Sequence, residues 1–151
     1  MDKNSVGKVG RSVTMHVEHG KIREFAKAIK DDNPVYFDED YAKATVGGIM
    51  PPPTFFMTLS HWDDTGEGRP DLQADMRYVL HGEQEFEYLK PIYAGDVLTA
   101  ISRVKDIFEK PGRRGGTMAF GVMETEFRNQ RGELCVIARA TLIETGQVVR
   151  D

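Results

Sequence analysis

The residues best equipped for chemistry lie in the stretch Ala28-Ile29-Lys30-Asp31-Asp32-Asn33-Pro34-Val35-Tyr36-Phe37. Asp31 is a candidate carboxylate base. Such a base needs a polar partner within hydrogen-bond reach, which spacing along the chain does not supply. Asp31 to Pro34 also suit a plain helix stop: Asp and Asn bond their own backbone in turns, and proline cannot continue a helix. The second candidate is His81-Gly82-Glu83-Gln84. A histidine exchanges protons near neutrality, with an ordinary pKa of about 6.5. His81 and Gln84 also read as buried side chains satisfying backbone groups at a strand end. Gly82 would let a ligand or partner approach the backbone closely. His16, His19 and His61 show no metal-ligand spacing with carboxylates, so no metal and no cofactor is assigned. The single cysteine, Cys135, rules out an internal disulfide and a thiolate zinc cluster. Its apolar alternating surroundings predict an inert buried thiol, and a reducing cytoplasm fits.

The elements around these residues follow from hydrophobic period. Ser12 to Val17 alternates like a short strand. Ile22, Phe25, Ala26 and Ile29 fall on one stripe of a helix over about residues 19–30. Asn33, before a proline, is pushed out of the helical region and ends it. Asp38 is a cap for a short helix over 39–44. Pro51-Pro52-Pro53 remove three backbone donors, and the last suits the first turn of a helix. Thr54 to Trp62 then reads as a buried helix, apolar on most faces. Asp63 to Asp71, with two glycines and a proline, is a loop, long enough to shape or cover a cavity mouth. From Met76 the period becomes two. Gln84, Phe86 and Tyr88 share one strand face, and Glu83, Glu85 and Glu87 the other. Residues 97–109, 117–129 and 133–145 make three more long strands, joined by turns at 112–116 and 130–132. This is an α+β chain: a long antiparallel sheet of about five strands wrapped round one central helix.

The 151 residues suit one domain, 1–151, with 40% hydrophobic and 29% charged side chains. Twenty Lys+Arg against 24 Asp+Glu give a net charge of −4, whose field repels nucleic acid and anionic lipid. The tract Lys110-Pro111-Gly112-Arg113-Arg114 is the sole candidate basic patch, and it reads as a solvated hairpin loop. The apolar stretches fall far short of the ~20 residues of a membrane span. No basic stretch followed by an apolar one opens the chain, so a signal peptide is not expected.

Three segments together carry a family resemblance: Lys21 to Phe37, Ile49-Met50-Pro51-Pro52-Pro53-Thr54-Phe55, and His81 to Leu98. With the strand pattern they cover about residues 6–145, and the chain resembles the MaoC-like hotdog family, in its dehydratase N-terminal-domain branch. The resemblance implies a single hotdog fold with Thr54 to about Trp62 as the central helix. It implies paired domains, with an acyl-CoA or acyl carrier protein thioester near the pairing surface. Active members end their motif in Asp-x-Asn-Pro-x-His. There, aspartate and histidine hold a water that is added to a trans-2-enoyl thioester or taken from a 3R-hydroxyacyl thioester.

Aligning Asn33-Pro34 puts Asp31 on the motif aspartate and Tyr36 where the histidine should be. Tyrosine, with an ordinary pKa of about 10, donates a hydrogen bond but is a poor base at neutral pH. The family's helix-start glycine, whose N–H polarises the thioester carbonyl, falls at Pro53, which has no N–H. Thr54 N–H and the helix start would supply a weaker dipole. Asn33, Pro53, Thr54, Gly82 and Gln84 are the implied substrate-binding positions. Met50 and the residues at 55–57 suit either an acyl tunnel or core packing.

Several functions follow. One is a substrate-holding subunit of an enoyl-thioester hydratase or (3R)-hydroxyacyl-thioester dehydratase, in a heterodimer with a catalytic hotdog chain. Another is a self-sufficient homodimeric hydratase using Asp31, Tyr36 and a compensating His81. A third is a non-catalytic module that binds acyl thioesters, and a fourth is a thioesterase.

Overall fold

The structure, a computed structural model, describes residues 1–112 and 116–146. Arg113 and Arg114 of the basic tract lie outside the described residues. The five strands are β1 (Val13–His16), β2 (Val79–Tyr88), β3 (Val97–Pro111), β4 (Thr117–Arg128) and β5 (Leu134–Glu144). They form one antiparallel sheet in the order β1-β3-β4-β5-β2, so β1 and β2 are its edges. The expected alternation survives in the sheet: Leu98, Ala100, Phe127 and Val136 point into the core, at 0–1% exposure.

Two α-helices precede β2. Helix α1 (His19–Ala28) buries Ile22 and Ala26, and its Phe25 meets Phe55 edge-on at 5.7 Å. Ile29, expected on the same stripe, lies one residue past the helix and is half exposed. Helix α2 (Glu39–Thr45) starts where Asp38 accepts the Tyr41 N–H at 2.9 Å, the expected cap.

The central helix, Phe55–Trp62, is wound as a 3₁₀ helix. The Thr58 hydroxyl donates to the Phe55 carbonyl three residues back, at 2.8 Å, which favours this tighter winding. Phe55, Phe56, Thr58 and Leu59 are buried, and Phe56 packs on Phe127 of the sheet at 5.1 Å between ring centres. Met57, Ser60 and His61 are exposed. The helix is therefore apolar nearly all round yet covered on one side, because a single curled sheet has one concave face to offer.

The other face of the sheet is laced by ion pairs. Arg139 on β5 donates to Glu124 on β4 (2.8 Å) and to Glu85 and Glu87 on β2 (2.7 and 3.0 Å). Lys105 on β3 also pairs with Glu124, whose side chain is 9% exposed. Burial pushes the Glu124 carboxyl up, but hydrogen bonds from Lys105 and Arg139 outweigh this and hold it below the usual range. At the β4–β5 turn, Asn129, Lys90 and Arg131 hold Glu133 down to about 2. A depressed carboxylate contributes stability that is complete above its unfolded pKa and vanishes as pH falls through the folded value. Urea midpoints should thus hold steady down to about pH 5 and fall between about 4.5 and 2. Glu124→Gln should make that fall smaller; a midpoint independent of pH over this window would contradict the assignment.

Candidate functional site

The motif at the end of α1 is shaped by a backbone reversal. Lys30 takes a left-handed φ of 59°. This lets the Asp31 N–H reach back to the Ala26 carbonyl (2.9 Å) and the Lys30 N–H to that of Lys27 (3.1 Å), closing the helix. Asp31 then accepts the Asn33 N–H and Asn33 accepts the Val35 N–H, each at 3.1 Å. These two side-chain turns deliver Tyr36 into the core at 7% exposure. A lysine is costly in that left-handed position and glycine is not. Lys30→Gly should raise stability by about 0.5–1 kcal/mol in denaturant melts.

The fold brings Asp31 and Tyr36 together, which spacing along the chain could not show. Burial pushes the Tyr36 phenol above its ordinary pKa, and the Asp31 carboxylate adds to this by its charge and as hydrogen-bond acceptor. At neutral pH, Tyr36 is a neutral donor. The Asp31 carboxylate lies in a shallow hollow with Arg23, Lys27, Lys30, Asp32 and Phe37.

His81 and Gln84 lie elsewhere, and contrary to the buried reading His81 is exposed and Gln84 half-buried. They line a chamber of about 320 Å³ between the central helix and the sheet, with Phe56, Met57, Met123, Phe127, Ala138 and Ala140 among its walls. A bulge at Gly82 makes this possible: the register jumps from His81↔Leu142 to Glu83↔Thr141. His81 is thereby turned to the concave side with Gln84, although two residues on Glu83 faces outward. The bulge also brings Gly82 hard against β5, where a Cβ would sit 2.6 Å from Ile143 Cδ1 and 3.2 Å from the Thr141 carbonyl oxygen. The close neighbour of Gly82 is thus β5 of the same chain.

Pro53 and Thr54 open the central helix. The Phe55 N–H is taken by the Pro52 carbonyl (2.9 Å), and the Pro53 carbonyl accepts from the Tyr88 hydroxyl. Burial raises the Tyr88 phenol to about 12, so it too stays a donor. Pro53 and Tyr88 border an apolar slot of about 460 Å³, with Met50, Pro51, Leu89 and Ile92. Phe56 lines both the slot and the chamber, standing between them. Within one chain, then, the candidate residues fall in three places: Asp31, Asn33 and Tyr36 behind α1, His81 and Gln84 along the chamber with Gly82 packed on β5 between them, and Pro53 at the slot with Thr54 next in the chain. His81 and Asp31 border different hollows.

A profile of the FAS1-like dehydratase domain region matches residues 4–138. The chain belongs to this dehydratase-region family, with the MaoC-like hotdog fold. A relative in Thermobifida fusca (strain YX), called UPF0336 protein, is 38% identical over 129 residues, covering 83% of this chain and 81% of that one. The fold overlays the C-terminally truncated HadBC complex of Mycobacterium tuberculosis, a (3R)-hydroxyacyl-ACP dehydratase, with a TM-score of 0.74. That match has 26% identity and covers 95% of this chain and 98% of that one. The ChsH1-ChsH2 complex of Mycobacterium tuberculosis shares the fold at a TM-score of 0.68 and 20% identity, covering 93% and 98%.

Beside the hotdog motif residues, the structure adds some that sequence patterning passed over. Ala138 and Ala140 open the chamber, since larger side chains on the concave face of β5 would fill it. Their signal is present in Val136, Ala138, Ala140 and Leu142: two small residues in an inward-facing run otherwise large. Arg69 reaches the same chamber from the 63–71 loop. That loop is tied down. The Arg11 N–H donates to the Glu67 carbonyl at 2.8 Å, and Gly10 meets Gly68 so closely that a Cβ would lie 2.2 Å from the Gly68 oxygen. The loop therefore shapes the chamber wall as an anchored segment. No group of three or more His, Cys, Asp or Glu side chains among the described residues could hold a metal ion. No helix among them is long and apolar enough to cross a membrane.

Proposed function

We propose that this chain is the acyl-holding subunit of an enoyl-thioester hydratase or (3R)-hydroxyacyl-thioester dehydratase, completed by a partner hotdog chain that supplies the Asp–His pair. The observation that carries this reading is Tyr36. It occupies the motif position of the histidine, beside Asp31, and is held as a neutral phenol. It can orient a group by donating a hydrogen bond but cannot take a proton from water at neutral pH. Pro53 removes the second catalytic feature, a backbone donor at the helix start. What is retained is space: an apolar chamber along the central helix, suited to an acyl chain, with His81 and Gln84 as polar groups at its wall.

The thioester would be that of coenzyme A or of an acyl carrier protein, and no cofactor is needed for adding or removing water. The chain would act as one domain in the cytoplasm, in a dimer. HadBC and ChsH1-ChsH2 are both complexes of two different chains, which supports a heterodimer. The test is purification of the tagged chain from its native host. A second hotdog chain with an intact Asp-x-Asn-Pro-x-His should accompany it, and the pair should hydrate enoyl-CoA. If only self-association is found and the homomer turns over enoyl-CoA, the reading is wrong.

A further inference from the structure

Strand β2 is a ten-residue edge whose outer row of backbone groups has no neighbour among the described residues. Such an edge pairs with another strand unless something prevents it. Its flanks invite pairing, because Leu80, Tyr88 and Leu89 are 41–49% exposed and apolar. Its convex side does the opposite. Glu83, Glu85 and Glu87 stand there in a row, all exposed. One guanidinium, that of Arg139, serves Glu85 and Glu87 and is shared with Glu124. Glu83 has no ion pair among the described residues. The other convex-side residues of β5 beside β2 are Ile137, Thr141 and Ile143, which add no cation.

Consider a second copy added antiparallel at this edge. To continue one sheet, the two concave faces must lie on the same side, and directly opposed residues then point the same way. Gln84, Phe86 and Tyr88 meet the concave-side residues of the copy. The register centred on Glu85 opposes Glu83 to Glu87, Glu85 to Glu85 and Glu87 to Glu83 of the copy, and a two-residue slip either way still opposes two of the three to glutamates. Like charges directly opposite destabilise a strand pair, and opposite charges stabilise it.

We propose that the glutamate row of β2 selects against self-pairing and for a hotdog chain whose edge strand carries lysine or arginine at the facing convex positions. The apolar flank supplies attraction without choosing, and the charge row chooses. This selection presupposes the heteromeric pairing proposed above. It is read by mass rather than by turnover, so a pair that associates as expected but has no hydratase activity would sink the enzymatic reading alone.

The experiment is sedimentation of the full chain, of the triple variant Glu83→Gln/Glu85→Gln/Glu87→Gln, and of the triple variant Glu83→Lys/Glu85→Lys/Glu87→Lys. At low salt, the glutamine variant should self-associate about tenfold more tightly than the unmodified chain. Added salt at about 1 M, where screening acts over about 3 Å, should tighten self-association of the unmodified chain and leave the glutamine variant unchanged. An equimolar mixture of unmodified and lysine chains should form mixed dimers beyond the random share. Self-association equal in the unmodified and glutamine chains, at every salt concentration, would overturn the proposal. So would random mixing with the lysine chain; if that variant does not fold, the glutamine and salt comparisons decide by themselves.

Discussion

Purified alone, the chain should hydrate crotonyl-CoA at least about 10⁴-fold more slowly than its complex with a partner bearing the intact motif. A positioned general acid or base contributes about 10²–10⁴ in rate, and one oxyanion donor about 10²–10³. Groups acting as a unit are not additive, so the lower product is the safer expectation. Tyr36 cannot replace the histidine, because burial and the neighbouring Asp31 both hold its proton on. Tyr36→Phe should accordingly leave the small residual rate of the lone chain unchanged. The readout is loss of enoyl absorbance with and without the partner. A lone chain within tenfold of the complex, or one silenced by Tyr36→Phe, would show that the phenol does chemistry after all.

The second large effect concerns the chamber. Ala140 sits on β5 opposite Met123 of β4 and Gln84 of β2, and lines the space beneath the central helix. Ala140→Phe would fill that space. If three methylenes of a bound acyl chain lose their burial at about 0.8 kcal/mol each, the loss is about 2.4 kcal/mol, or about 60-fold in affinity. Calorimetry should show this loss for a medium-chain thioester and little change for a crotonyl one, which scarcely enters. A thermal melt guards against overpacking, which costs about 1–3 kcal/mol when the space is not really free. A folded variant that binds the longer thioester as before would place the acyl group elsewhere, with the apolar slot by Pro53 and Tyr88 as the alternative.

Much of this molecule is legible from local chemistry. Alternation over 97–109, 117–129 and 133–145 marks the three long strands within a residue or two of β3, β4 and β5. The Asp38 cap is where its short side chain demands it, while Asn33, expected to end α1, instead caps the turn Pro34–Tyr36. The proposed places of Tyr36 at the motif's histidine and of Pro53 at its glycine rest on residue identity against the resembling family's motif and use no coordinates.

What depends on tertiary contacts is which side each group faces. His81 and Glu83 have the same parity, and strict alternation would put them on one face; the bulge at Gly82 separates them. That bulge is set by the register against β5, in which Gly82 packs on Ile143. The helix stop, likewise, comes earlier than the Asn-Pro pair requires, since Lys30 already turns left-handed to let Asp31 bond back to Ala26. The chamber exists only because two alanines on β5 meet the side chains of the central helix across the curl. Sequence by itself determined the main elements and their turns, for these rest on interactions within a few residues. Register, bulge and cavity were decided by the fold, because a one-residue slip in strand pairing reverses every side chain and no local preference resists it.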